Sequence, residues 1–400
     1  MTSRIYYTDP YCRRFDAVVT RAYEHEGRPA AMLDRTAFYP TSGGQPHDEG
    51  RMVLAGSAGR AGEVNVIDVV DVDDDIVHVL SAPLVAGSAV TGEIDWDRRF
   101  DHMQQHTGQH VLSAAFDRLL DNRTVSFHMG VDLSTIDLAR EMSWEQIAHA
   151  ENEANRIVWE DREIAIRFAS AEEAAAMPLR KEPARGGVLR LIDVTDFDLS
   201  ACGGTHVTRT GAIGVVAVPA IEKFKGGMRV TFVCGGRALR VFRSLRESVA
   251  GSVRALSVLP QELPGAVERM QTEAKELRRT VKRLQESLAS QEGARLAAVA
   301  REAGGVVVEA LDGWDASGLK AIAVEITRLT SAAVALFSAS APYALVIARS
   351  ADRTIDANAV LRAMTQRYGG RGGGKPDLAQ GGGLTGTLSD IRAAARELLR

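Results

Sequence analysis

The chain opens with short runs in which apolar and polar residues alternate. "AVVTRAYE", "AAMLDRTAFY", "VNVIDVVDV", "IVHVL" and "SAVTGEID" follow one another up to residue 95, separated by glycine, proline and Asp-Glu-Gly punctuation. Alternation of period two gives a strand one buried side, so residues 1–93 are expected to form a small β-barrel. Near Asp95 the period changes. In "RRFDHMQQHTGQHVLSAAFDRLL" the residues Val111, Leu112, Ala115, Phe116 and Leu119 fall at helical spacing, and Asp121-Asn122 stops the helix. A second helix, "SWEQIAHAENEANRIVWEDR", begins at Ser143 with Gln146 three residues on, the signature of a capping box. The strands "IAIRF" and "GVLRLIDV" come next, so residues 94–242 predict an α+β domain.

After Arg237 another helix is expected, and then the period becomes 3.5. Leu263, Val267, Met270, Ala274, Leu277, Val281, Leu284 and Leu288 alternate steps of four and three between charged residues, a heptad seam of about four repeats. Residues 243–298 therefore predict a helical coiled-coil segment, whose partner is either a neighbouring helix in a hairpin or a second chain. In residues 299–400, "GVVVEAL", "AVALFSA" and "YALVIARS" read as strands, and "ASGLKAIAVEITRLT" and "DANAVLRAMTQRY" as helices. This α/β module runs into the glycine-rich stretch "GGRGGGKPDLAQGGG". The fold class is α+β and multidomain.

Composition narrows the setting. With 400 residues, 45% of them hydrophobic, the chain can bury more than one core, and its net charge of −4 excludes a uniformly basic nucleic-acid coat. Contact with RNA then has to come from local patches. Three cysteines, Cys12, Cys202 and Cys234, cannot all pair, which fits a reducing, cytoplasmic protein. "MTSRIYYTDP" lacks an apolar signal core and no run of 18 apolar residues occurs, so neither export nor membrane insertion is expected.

Candidate chemistry concentrates in the histidines. Three of the nine lie in "DHMQQHTGQH", four residues apart. Residues at that spacing share a helix face, so His106 and His110 can turn ring nitrogens toward one ion, while His102, a turn further away, is better suited to an accessory position. "ACGGTHV" offers Cys202 and His206, again four apart, with Gly203 and Gly204 allowing a sharp turn. The two pairs together make a three-histidine, one-cysteine zinc site. A metallopeptidase of the HExxH kind is excluded, since position 107 is threonine.

"HTGQH" and "CGGTH" together resemble the editing domain of alanyl-tRNA synthetases and the free-standing AlaX-type editing proteins. "TAFYPTSGGQPHDEG" resembles that family's glycine motif, "VSFHMGVDLSTIDL" and "EKFKGGMRVTFVCGGRAL" its later signatures, and "GGRGGGKPDLAQGGG" a C-terminal domain shared with DHH-type phosphoesterases. The likeness spans nearly the whole chain in order, and the barrel begins close to Met1, as in the long form of the free-standing editors.

The resemblance implies hydrolysis of mischarged tRNA(Ala), the seryl ester first and the glycyl ester second. Four protein ligands fill a tetrahedral zinc, so catalysis is expected to need one ligand to give way to water, with Gln45, His128 or His102 assisting. Thr36 is the candidate reader of the seryl hydroxyl. The amides at Gly43 and Gly44 are placed to approach the terminal adenosine, and Arg367, Arg371 and Lys375 to contact phosphates. The alternative is a non-catalytic tRNA-binding module with a structural zinc. A phosphoesterase is less favoured, because no Asp-His-His domain is visible. Expected partners are tRNA(Ala) carrying a wrong amino acid and a second copy of the chain, joined through the heptads or the C-terminal domain.

Overall fold

A computed structural model describes residues 2–55, 62–73, 75–180 and 187–400. The chain divides into two compact units, one ending at Gly251 and the other starting at Ser252.

The first unit starts with β1 (Ser3–Arg4), β2 (Arg14–His25), β3 (Arg28–Leu33), β4 (Arg35–Thr36), β5 (Gly50–Leu54), β6 (Glu63–Val72), β7 (Asp75–Leu80) and β8 (Ala89–Ile94). Six of them close an antiparallel barrel in the order β2-β3-β7-β6-β5-β8. Alternation explains the closure. Phe15, Ala17 and Val19 of β2 are buried while their neighbours face out, and the same period brings Val64 and Val66 of β6 inward, after which a register shift between Val66 and Asp68 makes Val69 the next buried residue. The β2–β3 hairpin turns at Glu26-Gly27, both at positive φ, the left-handed pair that matches the twist of the strands. Strand β5, "GRMVL", is an addition to the sequence reading, where five residues beside a glycine motif gave too short a pattern. The run "AAMLDRTAFY" also proves not to be one strand, because pairing with β2 stops at Leu33.

Helix α1 (Trp96–Leu120) leaves the barrel with Asp95 as N-cap and stops at Asp121, which adopts the left-handed conformation. Its middle, from Arg99 to Phe116, is buried on almost every side, so polar residues there need internal partners. Arg99 shows how this is met. Its guanidinium, wholly buried, pairs with the equally buried Asp48 and donates to Pro10 O at 2.8 Å, tying α1 to the barrel's loops.

Beyond α1 come β9 (Thr124–Met129), β10 (Ser134–Leu138), α2 (Trp144–Trp159), β11 (Ile164–Ala169), α3 (Ala171–Ala175), β12 (Leu189–Val194), β13 (Asp198–Ala201), β14 (Val216–Phe224), β15 (Gly227–Cys234) and α4 (Gly235–Leu256). The capping box at Ser143 and Gln146 is present in both directions. Two antiparallel sheets result, β14-β15-β10-β9 and β11-β12-β13, and they enclose one core with α1 and α2.

The second unit holds the 40-residue helix α5 (Leu263–Glu302), then β16 (Val306–Leu311), α6 (Ala316–Leu329), β17 (Ala333–Ser338), β18 (Tyr343–Arg349), α7 (Ala357–Tyr368), β19 (Arg371–Gly374), β20 (Leu378–Leu384) and α8 (Leu388–Leu398). Its five strands run β16-β17-β18-β20-β19, with only β16 and β17 parallel. Alternate residues feed two cores. Val334, Leu336 and Val346 face α5 and α6, and Ala335, Phe337 and Ile347 face α7 and α8. The glycine-rich stretch, expected as a tail, is the hairpin β19–β20 at the sheet edge, with α8 after it. Among the described residues no helix is long and apolar enough to cross a membrane.

Candidate metal centre

Strand β13 and helix α1 bring the site together. His106, His110, Cys202 and His206 each offer a ligand atom, and these atoms all lie within 4.8 Å of one another. Cys202 Sγ is 3.4 Å from Nε2 of His106 and 3.4 Å from Nε2 of His206. Such distances suit the edges of a tetrahedron whose bonds to a central ion are about 2.0–2.3 Å, so the set fits a metal ion.

Each imidazole is held by its other nitrogen. The Nδ1 of His106 lies 2.8 Å from Oε1 of Gln45, an oxygen that also accepts from Thr205 N at 3.1 Å, while the Gln45 amide nitrogen donates to Thr205 Oγ1 at 2.8 Å. Gln45 is therefore the acceptor and His106 the donor, which leaves Nε2 bare for a metal. His110 Nδ1 donates to Oδ2 of Asp198 (3.1 Å), and Asp198 is gripped by Arg180 through Nε (2.7 Å) and Nη2 (3.1 Å). His206 Nδ1 pairs with Thr107 Oγ1 at 3.2 Å, and that oxygen receives Val207 N–H.

The electrostatics of Cys202 and His206 suit a ligand set, and His110 would release a proton on binding a metal ion. Burial works against a thiolate at Cys202, but the facing imidazoles of His106 and His206 hold the thiol well below its ordinary range. Burial lowers His206 to about 3, keeping it neutral. Burial also opposes charge on His110, yet the hydrogen bonds to Asp198 and Cys202 outweigh it and raise this histidine to about 9. Asp198 is likewise pushed up by burial and pulled further down by His110 and Arg180, so it stays ionised.

Glycines set the packing. A Cβ at Gly204 would lie 2.1 Å from Cε1 of His106, and one at Gly108 would lie 2.2 Å from Sγ of Cys234. Gly43 and Gly44, at φ +57° and +85°, form the tight turn between Ser42 and Gln45, and Gly44 O accepts from Met129 N at 3.1 Å. That turn docks against β9 and delivers Gln45 to His106. Arg190 fixes the opposite loop, donating to Cys202 O (2.7 Å), Gly204 O (2.9 Å) and Tyr7 O (2.8 Å).

A cavity of about 240 Å³ borders the cluster, lined by Gly43, Gln109, Arg180 and Ser200 and by residues 124–127 of β9. Of the residues singled out from sequence, Gln45 and Gly43 are brought to the site, and Gly44 packs on Phe127 beside it. Three others are not. Thr36 is fully buried in the barrel, its hydroxyl bonded to His78 Nε2 at 2.8 Å and accepting from Phe38 N at 3.1 Å. His128 is exposed on β9, because alternation turns it away from the side on which Phe127 meets His106. His102 is buried one turn before His106, outside the four-donor cluster, its Nδ1 unpartnered and its pKa lowered by burial to about 3. Arg367, Arg371 and Lys375 are all exposed, at the end of α7, on the edge strand β19 and at the β19–β20 turn. Sequence reading missed Asp198, Arg180, Arg190 and Thr107. Asp198 left a signal: with Ser200 it lies on the buried face of β13, two and four residues before Cys202, which follows just past the strand's end.

Comparison with known proteins agrees along the chain. Residues 15–98 match the family described as tRNA synthetases class II (A), residues 189–229 the threonyl and alanyl tRNA synthetase second additional domain, and residues 303–400 the DHHA1 domain. An alanine–tRNA ligase from Pyrococcus abyssi is 33% identical across 95% of this chain and 42% of its own length, and one from Halorubrum lacusprofundi is 34% identical across 100% and 44%. The chain thus spans less than half the length of these ligases. The alanyl-tRNA editing protein AlaX-L of Pyrococcus horikoshii is 30% identical and matches end to end, over 95% of this chain and 94% of that one. With that identity and coverage, the chain belongs to the AlaX-type alanyl-tRNA editing proteins.

Proposed function

We propose that this protein is a zinc-dependent deacylase that hydrolyses the ester of tRNA(Ala) misacylated with serine, and secondarily with glycine. The observation that carries the reading is the cluster of three imidazoles and one thiolate, each imidazole oriented through Nδ1, at the wall of a cavity large enough for an aminoacyl group.

Borderline-soft nitrogen and sulfur donors in this number suit Zn²⁺. His106, His110, Cys202 and His206 would hold the zinc ion, which would supply Lewis acidity toward the ester carbonyl and toward an attacking water. The chain's own residues do the rest. Gln45, Asp198 and Thr107 fix the imidazoles, so little reorganisation is left for the reaction. Gln109, Thr124 and Ser200 give the cavity hydrogen-bonding groups that a seryl or glycyl ester in water-filled space can use and that a methyl side chain leaves unpaired, which favours removal of serine over alanine. The exposed cations Arg367, Arg371 and Lys375, next to the open edge of β19, offer phosphate contacts.

The test is to incubate the full chain with Ser-, Gly- and Ala-tRNA(Ala), with and without a zinc chelator, beside Cys202→Ala. Hydrolysis of the seryl and glycyl esters, sparing of the alanyl ester, and loss of activity with chelator or in the variant are expected. Metal-loaded protein that cleaves none of them fits the second reading, a tRNA-binding module in which four ligands fill a structural zinc.

A further inference from the structure

The cavity beside the four-donor cluster is lined in part by groups that have already given protons away. Gln109 of α1 donates from its amide nitrogen to Ser113 Oγ at 2.8 Å, and Thr124 of β9 donates to the same oxygen at 2.7 Å. Ser113 is wholly buried, so both protons are spent behind the wall. What the two residues keep for the cavity is acceptor capacity, Oε1 of Gln109 and the lone pairs of Thr124 Oγ1, and neither meets a donor among the described residues. Gln109 is only 7% exposed, so its oxygen depends on what enters the cavity. Arg180 is the contrast. Its backbone N–H is bonded to Leu199 O of β13 at 3.0 Å, and Asp198 holds its guanidinium through Nε and Nη2, which leaves Nη1 uncommitted among the described residues. Arg180 lines the cavity too and puts a cation on its β13 side.

Taking the aminoacyl ester proposed above as the substrate, we infer that Gln109 and Thr124 hold its free α-ammonium, with the carbonyl turned toward Arg180, and that the protein therefore acts on esters whose amine is unblocked and not on peptidyl or other N-acylated esters. The two ends of such an ester match the two kinds of lining. An ammonium carries three N–H donors for the pair of acceptors gathered around Ser113, and a carbonyl oxygen accepts from a guanidinium. The reverse placement sets ammonium against guanidinium and leaves the two acceptors without a donor, so charge and hydrogen bonding select the same orientation. Acylation of the amine removes the charge and leaves a single N–H. At least one of the two acceptors then stays unpaired in an enclosed site, and that unmade bond is what discriminates. A peptidyl-tRNA carries the same ester to the same ribose, and this contact leaves it intact.

The test is calorimetric titration of the zinc-loaded full chain with a stable amide analogue of the substrate end, 3′-deoxy-3′-(L-serylamino)adenosine, and with its N-acetyl derivative. The unblocked compound is expected to bind roughly 10- to 100-fold more tightly. Gln109→Leu and Thr124→Val are each expected to lose most of that preference through weaker binding of the unblocked compound, with the N-acetyl affinity little changed. Zinc content equal to that of the wild type in both variants separates loss of the ammonium contact from a disturbed α1. Should Gln109→Leu fail to fold, Thr124→Val on β9 makes the same comparison. Equal affinities for the two compounds overturn the inference, as does a preference that survives both substitutions, and binding of neither compound overturns it together with the deacylase reading. Hydrolysis of Ser-tRNA(Ala) and N-acetyl-Ser-tRNA(Ala) tells the two apart. Cleavage of both at equal rates keeps the deacylase and removes the ammonium contact, whereas selective binding of the unblocked compound with cleavage of neither tRNA keeps the contact and removes the deacylase.

Discussion

Gln45 and His106, 61 residues apart in the chain, meet with 2.8 Å between the amide oxygen of one and Nδ1 of the other. The contact joins the turn made by Gly43 and Gly44 to helix α1, and it selects which nitrogen of His106 is free. Gln45→Leu keeps the volume and removes the acceptor. Its expected effect is a 10- to 100-fold weaker hold on zinc, with a matching loss of ester hydrolysis. Competition against a chromogenic chelator measures the first, and an unchanged affinity would show that Gln45 only fills space.

Gly204 gives His106 its place. Gly204→Ala puts a methyl 2.1 Å from the imidazole Cε1, so either the ring or the loop fixed by Arg190 has to move. Overpacking of this kind costs about 1–3 kcal/mol. Metal analysis of the purified variant is expected to show zinc well below one per chain, while far-ultraviolet circular dichroism stays near that of the wild type.

Gly108 faces a similar limit from the other side of α1, with Cys234 Sγ in the space its Cβ would take. Gly108→Ala is expected to destabilise the first unit by about 1–3 kcal/mol. Cys234→Ala, placed in that background, removes the colliding sulfur and should recover part of the loss. Strictly additive effects of the two substitutions in a double-mutant cycle would contradict the contact.

Stability toward acid has an identifiable source in the barrel. His78 is wholly buried, its Nδ1 against Ala31 O at 3.1 Å and its Nε2 against Thr36, and burial lowers its pKa from 6.5 to about 4. Between those values the unfolded chain binds a proton that the folded one refuses, so stability present above pH 6.5 is lost as pH falls toward 4. At pH 5.5 the loss from this residue is about 1.4 kcal/mol. In His78→Gln the drop in urea stability between pH 7.5 and pH 5.5 should shrink by that amount. Trp96, Trp144 and Trp159, all in the first unit, report the transition by fluorescence. An unaltered pH slope would remove His78 from the account.

For the proposed tRNA contact, Arg367→Ala/Arg371→Ala/Lys375→Ala should lower the salt dependence of tRNA binding by roughly two to three units of slope. Cleavage of a small seryl ester should be untouched. Equal salt slopes in the two proteins would place the phosphate contacts elsewhere.

The four donors were readable from spacing alone, because i and i+4 on a helix and across a glycine turn leave few other geometries. The barrel was readable from alternation, except where β5 was too short to show a period. What escaped was everything that depends on contacts across the chain. Nothing local marks Arg180 as the partner of Asp198 or Arg190 as the clamp on Cys202 and Gly204, since an arginine in a strand or loop is ordinarily a surface residue. Thr36 and His128 misled for a related reason. Each sits beside a strong motif, but the side a strand residue faces is set by register, and register is set by pairing with distant strands.

The buried pair of Arg99 and Asp48 bears on how this protein can be divided. Residue 94 looks like a natural place to cut, with strands before it and a helix after. A fragment starting there would keep the guanidinium and lose every partner it has, the Asp48 carboxylate and the Pro10 and Ala37 carbonyls, together with the surface that covers this side of α1. A cut at residue 94 also removes Gln45, the acceptor for His106 Nδ1, so the four-donor cluster keeps this arrangement only in a piece that includes the barrel's loops.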